Sequence, residues 1–577
     1  MKKKILSLLV LLPFIAACDI SSFLPSSGNN TNHNSTENGN GSTDTPANNN
    51  DNQDDEPSNT EEPGNNDNNN TDDPNNDDNG NSDSGNIDDN NNDNPNGENV
   101  DNPDNGDNNN TDNPDNGDTE TPIEQNHKDD EIEKGFLSGN KLFDAFFTYG
   151  KKIHIDLSFT NQSLLKLAEY GEPGNNNSNF VKNEMYHPCT MKVTMDNKTA
   201  TYYEVGARMR GNTSRNTNFI TRSGYFVPGE NFHFKLNFAQ TFDNAEDNDY
   251  YINPWTNSEK RKERDDRKFG KMKKLDFKWN RNYDGTFTKE LYVLDAFRNE
   301  GVLAQHGNLV EVTINSEVDS RTMVYQVLES VDKQLIKKAY PDDNSGDLYK
   351  CLYQNSPADL TNTNYLGVET TGFRPTYGLK TNEDKSDMSV IKTFINNVKL
   401  KTNQDGYTSE MYYENISRYM DVDNFLKYSA LCWLFGLPDD LRNNANNYYL
   451  YFNKEGKALF LPYDNDRCLG IRKDWDKDLR RVAWDDPYGQ GYNEFNKCPL
   501  ILRLITGGSN NSYTVHQPSK DQYHQYCIDY VERYLDLSRF ELFTRQFEGI
   551  APSVDISNSG ESNDTFSSYA TIKKEMI

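Results

Sequence analysis

Asp439 and Asp440 stand in the stretch Leu437-Pro438-Asp439-Asp440-Leu441-Arg442-Asn443-Asn444, and a second acidic group, Asp464-Asn465-Asp466, follows further along the chain. Together with Asn444 these are hard oxygen donors with no thiolate or imidazole beside them. Such a set suits Mg²⁺ or Mn²⁺ rather than a transition metal held by sulfur. A carboxylate free to accept a proton, next to oxygens that can hold a divalent cation, is equipment for moving a phosphoryl group onto a hydroxyl. The same residue types also serve as turn formers, and a pair of carboxylates can work on a glycan. What decides between these uses is the arrangement around them.

The stretch containing Asp439 reads as a loop after an apolar helical segment, Val422 to Phe435. Tyr448 to Phe452 reads as a strand, Asn453-Lys454-Glu455-Gly456-Lys457 as a hairpin turn and Ala458 to Tyr463 as the return strand, so Asp464 falls at a strand exit. Loop Asp, Asn five residues later, hairpin, strand-end Asp is the layout of a protein-kinase catalytic segment, although His-Arg-Asp, Asp-Phe-Gly and a glycine-rich phosphate loop are absent. Upstream, Glu204 to Arg210 and Asn231 to Phe238 alternate apolar with polar residues, which predicts a hairpin with Arg208, Arg210 and Lys235 on its polar face. Thr288 to Glu300 carries Leu291, Leu294 and Phe297 at helical spacing before Gly301. Strands follow at Leu309 to Ile314 and Met323 to Glu329, and further helical segments at Val390 to Val398, Leu500 to Leu504 and Tyr523 to Phe547.

Six strings in order resemble the spore-coat CotH kinase family over about Glu131 to Asp555: Arg208 to Ser214, Phe234 to Phe238, Gln326 to Lys333, Gly346 to Lys350, Asn447 to Tyr451 and Leu461 to Asp464. The resemblance implies an α+β, bilobal, protein-kinase-like body, with a β-rich N-terminal lobe over about 131–330 and a helical C-terminal lobe over about 331–577. It implies ATP with Mg²⁺ or Mn²⁺ as cofactors and Ser or Thr hydroxyls of proteins as acceptors. It makes Asp439 the catalytic residue, with Asp440 as the neighbouring alternative, and Asn444 and Asp464 the metal ligands. By the same carry-over Lys235 contacts phosphates, Glu290 pairs with Lys235 to orient it, and Glu329 lies where a hinge would pass the adenine. Two features depart from the family: the turn Asn315 to Arg321 lacks glycine, and Tyr463 stands where Trp is commoner.

The N-terminus reads as an address. Lys2, Lys3 and Lys4 precede an apolar run, Ile5 to Ile15, too short to span a bilayer, and Ile15-Ala16-Ala17-Cys18 looks like a bacterial lipobox. The expectation is a signal segment 1–18, acylation at Cys18, and a lipid-anchored protein that meets its protein substrate outside the cytoplasm. From Asp19 to Asp130 there are 29 acidic residues and one base, Lys128, with Phe23 as the aromatic residue and Asp-Asn-Pro-Asp-Asn-Gly-Asp occurring at 101–107 and 112–118. That composition cannot bury enough apolar area to fold, and reads as a disordered tether for a body at 131–577. The body is nearly charge-balanced and offers no basic stripe for a nucleic acid. Its six cysteines leave any disulfide pairing open. A surface lipoprotein whose body acts as an adhesin or scaffold is the alternative to a kinase.

Overall fold

The computed structural model describes residues 127–169, 185–211, 214–243, 255–370, 373–400, 402, 406–471, 482–485, 498–508, 514–550 and 565–577. The chain divides into two units, Met1–Pro114 and Asp115–Ile577, and every described residue belongs to the second. Cys18, the expected signal segment and the expected tether up to residue 126 lie outside the described residues. No helix among the described residues is long and apolar enough to cross a membrane.

The first part of the body is a β-barrel. Its strands are β1 (Glu131–Ile132), β2 (Ile153–Ser158), β3 (His187–Met195), β4 (Lys198–Met209), β5 (Phe234–Asn237), β6 (Lys274–Lys278), β7 (Gly307–Asn315) and β8 (Ser320–Glu329). They run in the order β4-β3-β2-β7-β8-β6-β5, and β5 returns to β4, closing seven strands with β1 added on β4. Closure removes the open edges that a sheet of this size would otherwise expose. Period-two patterning fills it: in β2, Ile153, Ile155 and Leu157 point inward, and in β5 and its flanks Phe232, Phe234, Leu236 and Phe238 do the same. The predicted hairpin is present as the antiparallel β4–β5 pair, with Arg208 opposite Lys235.

The second part mixes helices with a five-stranded sheet: β9 (Leu348–Cys351), β10 (Leu366–Val368), β11 (Tyr377–Leu379), β12 (Tyr448–Phe452) and β13 (Ala458–Pro462), ordered β10-β11-β9-β12-β13. Its central helix, Val422–Phe435, starts with the Asp421 side chain accepting from the Asn424 N–H at 3.0 Å and stops at Gly436, φ 59°. A left-handed residue ends the helix there, and a Cβ at Gly436 would stand 2.7 Å from the Tyr569 hydroxyl.

The architecture is mixed α/β with a β-rich first part, and it departs from the expected division at about residue 330. The helix Lys289–Asn299, read as part of an N-terminal lobe, shares one buried core with Phe425, Tyr428 and Trp433 of the central helix. Apolar residues line nearly its whole circumference, so it needs partners on both sides. The span Tyr523 to Phe547, expected as one helix, is two, Gln517–Tyr534 and Leu537–Arg545, because Asp536 caps the second by accepting from the Arg539 N–H. No disulfide joins cysteines among the described residues.

The packed body also begins earlier than Glu131. The His127 ring stacks on Trp255 at 3.6 Å while Glu204 holds both His127 and Arg264, and one Asp130 oxygen accepts from Arg267 at 2.7 Å and from the Tyr203 N–H at 3.1 Å. A chain started at Glu131 is therefore expected to melt about 2 °C or more below one started at His127, since it takes the Asp130 carboxylate away from Arg267 and leaves that guanidinium to the carbonyls of Phe238, Tyr203 and Glu204. Equal melting temperatures in a scanning experiment would show that residues 127–130 add nothing.

Candidate functional site

The alternation Lys274-Leu275-Asp276-Phe277-Lys278 places Leu275 and Phe277 in the barrel core and Lys274, Asp276 and Lys278 on the opposite face of β6. Register aligns Arg208, Lys235 and Asp276 across β4, β5 and β6. Asp276, 1% exposed, is held by Lys235 Nζ at 3.0 Å and lies 3.6 Å from Arg210 Nε. Burial works to raise the Asp276 carboxyl, but Lys235 and Arg210 outweigh it and keep it below the ordinary range.

Lys278 is the centre of the site. Its ammonium donates to both oxygens of Glu290, at 2.8 and 2.9 Å, and reaches Asp464 Oδ1 at 2.9 Å and Asp466 Oδ2 at 3.3 Å. Glu290 comes from the helix Lys289–Asn299 and also accepts from the Asn465 N–H at 3.1 Å, so strand, helix and the Asp464 segment are tied at one point. Asp464 sits just past β13 with φ 59°, a left-handed turn that brings it back over Lys278. Burial pushes its carboxyl upward, yet Lys278 and Arg210 win and hold it well below the usual carboxylate range. For Glu290 burial dominates, and the neighbouring Asp466 and Asp464 add to it, so its carboxyl moves up against the pull of Lys278.

Asp439 occupies the loop after Gly436. Three side-chain amides converge on it: Asn444 and Asn446 donate to Oδ1 at 2.8 and 3.0 Å, and Asn447 to Oδ2 at 2.8 Å. Positive φ at Ala445 (46°) and Asn447 (50°) curls the loop so that these amides can meet. Burial raises the Asp439 carboxyl, against the amides, and Asp464 raises it further. Asp440, its neighbour, is spent elsewhere: it is 3% exposed, takes Arg442 Nε at 2.6 Å and accepts the Arg442 N–H at 2.9 Å. Asp440→Asn is expected to cost about 3–5 kcal/mol in chemical denaturation because it leaves Arg442 buried without its charge partner. A loss well under 1 kcal/mol would return Asp440 to the candidates for chemistry.

Asp439, Asn444, Asp464, Asp466, Lys278 and Lys235 all line one cavity of about 630 Å³, with eleven basic and seven acidic residues in its walls. Arg210 and Lys350 lean on Tyr463 within it, Arg210 donating to the hydroxyl at 3.1 Å and Lys350 at 3.5 Å. The structure thus brings Asp439, Asn444, Asp464 and Lys235 together as expected. Two expectations are corrected. Glu290 pairs with Lys278, not Lys235, because β6 rather than β5 runs opposite the Lys289–Asn299 helix terminus, and Lys235 is engaged by Asp276. Glu329 does not line the cavity: its carboxylate is buried against Lys338, at 2.8 Å, and His306, at 3.0 Å. Residues just beyond it, Val331 and Asp332, line the wall instead. Lys278 escaped the reading of motifs, although the alternation of β6 carried the signal.

Among the described residues no group of three or more His, Cys, Asp or Glu is placed to hold a metal. The donor set nonetheless fits a hard cation in kind, for Asp464 and Asp466 already converge on a single positive charge, the Lys278 ammonium.

No curated protein sequence matches the chain. Residues 240–548, more than half of its length, match the family model described as CotH kinase protein, and they contain Lys278, Glu290, Asp439 and Asp464. The chain belongs to the CotH kinase family, a family of kinase-like function.

Proposed function

We propose that this protein is a phosphotransferase that moves the γ-phosphoryl group of ATP to Ser or Thr hydroxyls of proteins outside the cytoplasm, held at a membrane through an acylated Cys18. The observation that carries the catalytic part is Lys278 bridging Glu290 to Asp464 and Asp466 in the same cavity as the amide-held Asp439. Lys278 and Lys235 supply positive charge to phosphate oxygens, with Glu290 and Asp276 fixing where each ammonium stands. Asp439 orients the acceptor hydroxyl and takes its proton, its carboxylate immobilised by Asn444, Asn446 and Asn447 so that no rotamer entropy is lost at the moment of reaction. Mg²⁺ or Mn²⁺, held by Asp464, Asp466 and Asn444, would neutralise charge on the transferring group. The lipobox-like Ile15 to Cys18 supports the anchoring, and an exported kinase implies an extracytoplasmic protein as acceptor.

The experiment is thermal melting with ATP and each metal, followed by ³²P transfer to proteins. Specific nucleotide binding at about 100 times Kd adds about 2.7 kcal/mol of stability. A folded protein that gains no stability and transfers nothing with either metal is the scaffold of the alternative reading.

A further inference from the structure

Tyr463 directly follows β13 and stands in the cavity wall between two elements that are far apart in the chain. Arg210 reaches it from the end of β4, in the barrel, and Lys350 from β9, in the five-stranded sheet. Both donate to the phenol oxygen, Arg210 Nη2 at 3.1 Å and Lys350 Nζ at 3.5 Å, and both lie over the ring, 5.7 and 4.6 Å from its centroid. Each partner is held from behind. The Arg210 N–H donates to the His233 carbonyl at 3.0 Å, and its Nε lies 3.6 Å from Asp276. Lys350 is in register with Tyr449 of β12, whose ring meets that of Tyr463 edge-on at 5.2 Å. A phenol has two acceptor lone pairs and one O–H donor. The two cations take up the lone pairs, and the O–H finds no acceptor among the described residues. Three donors, a guanidinium, an ammonium and a phenol, therefore meet at one place in the cavity. Such a group suits an anion with several oxygens, and a phosphate is the anion that phosphoryl transfer brings here. Phenylalanine or tryptophan at 463 would offer no acceptor and would let the two cations part.

We propose that Tyr463 is a phosphate-binding residue: its O–H donates to a phosphate oxygen of the nucleotide while its oxygen holds Arg210 and Lys350 on the same phosphate. This rests on the phosphotransferase reading of the cavity and deepens it, adding to Lys278 and Lys235 a second phosphate seat where barrel and sheet meet. Asp276 links the two seats, for it engages Lys235 at 3.0 Å and faces Arg210. A hydroxyl already fixed by two cations loses little freedom when the phosphate arrives, so its hydrogen bond adds to affinity rather than offsetting a cost of ordering.

The test uses the full chain and calorimetric binding of ATP, ADP, inorganic tripolyphosphate and adenosine, each with Mg²⁺. Tyr463→Phe keeps the ring against Tyr449 and removes the oxygen. The expected result is binding of ATP, ADP and tripolyphosphate weakened about tenfold or more, with adenosine binding unchanged. A residue that merely braced the wall would weaken all four ligands alike as the melting temperature fell. Lys350→Met, at a half-buried site, removes one donor of the seat and leaves Tyr463 in place. It is expected to weaken the three phosphate ligands selectively as well, and it covers the case in which Tyr463→Phe loses its melting transition. A loss larger for ATP than for ADP puts the seat at the γ-phosphate, and an equal loss puts it at the phosphates that stay on the nucleotide after transfer. Unchanged ATP and tripolyphosphate binding in the folded variants, equal weakening of adenosine, or a folded parent that binds no phosphate ligand overturns the proposal. Tripolyphosphate binding that Tyr463→Phe weakens, in a parent that transfers no ³²P from ATP to any protein, leaves the seat standing and removes the phosphotransferase reading.

Discussion

Asp439→Asn is expected to bind nucleotide as the parent does and to transfer phosphate about 10²–10⁴-fold more slowly. The amide fills the space of the carboxylate but cannot accept a proton. Its cradle gives the substitution a second, smaller signature. All three surrounding groups, Asn444, Asn446 and Asn447, donate N–H to the native carboxylate, two to one oxygen and one to the other. An asparagine can present its oxygen to the pair and must then set its own NH₂ against that of Asn447. Either Asn447 turns over or a donor goes unsatisfied, at about 1–3 kcal/mol. The expected outcome is therefore near-silent transfer, unchanged ATP affinity by calorimetry and a modest fall in melting temperature. Transfer at the parent rate would remove Asp439 from the chemistry, and the buried Arg442 pair of Asp440 shows why its neighbour is a poor substitute: there, asparagine damages folding first.

How much of this was legible in the chain depends on range. The hairpin from Tyr448 to Pro462 and the β4–β5 pair were visible because local alternation and turn residues specify them. So was the company of Asp439, Asn444 and Asp464, whose elements are close in sequence. Closure of the barrel was not, since it depends on β2 lying parallel to β7 and on β5 returning to β4, pairings that no local pattern encodes. The three-residue strands Leu366–Val368 and Tyr377–Leu379 are too short for periodicity to register. The error over Lys235 has the same origin: both Lys235 and Lys278 sit on polar faces of alternating strands, and only the strand order decides which of them meets Glu290. Charge misled in a further way. A body that is nearly neutral overall concentrates eleven basic residues in one cavity, which net charge averages away.

Lys278→Met is expected to destabilise the body as strongly as loss of the Asp440–Arg442 pair while leaving the apolar core untouched. The ammonium is 3% exposed, and it is the partner of Glu290, itself 3% exposed, and the bridge to Asp464 and Asp466. Methionine matches the length of the stem but leaves three carboxylates facing one another around a buried apolar tip. Breaking a buried pair in this way costs about 3–5 kcal/mol, and the stabilisation by ATP and metal should disappear with it. The dependence on pH should change as well. Asp464 is held below its unfolded value, so its contribution to stability is present above the ordinary Asp range and is lost as pH falls through the folded value. Without Lys278 that contribution shrinks, and the melting temperature should fall less steeply on acidification than it does in the parent. Adding Glu290→Gln to Lys278→Met separates folding from chemistry: neutralising the stranded partner should recover most of the lost stability, while transfer stays absent because the phosphate has lost its ammonium. Lys235→Met is the control, expected to leave Asp276 with Arg210 as its remaining named cation without disturbing Glu290. If Lys235→Met abolishes nucleotide-dependent stabilisation while Lys278→Met retains it, the phosphate-binding lysine is the one on β5, and the contact between Lys278 and Glu290 is a structural tie between barrel and helix.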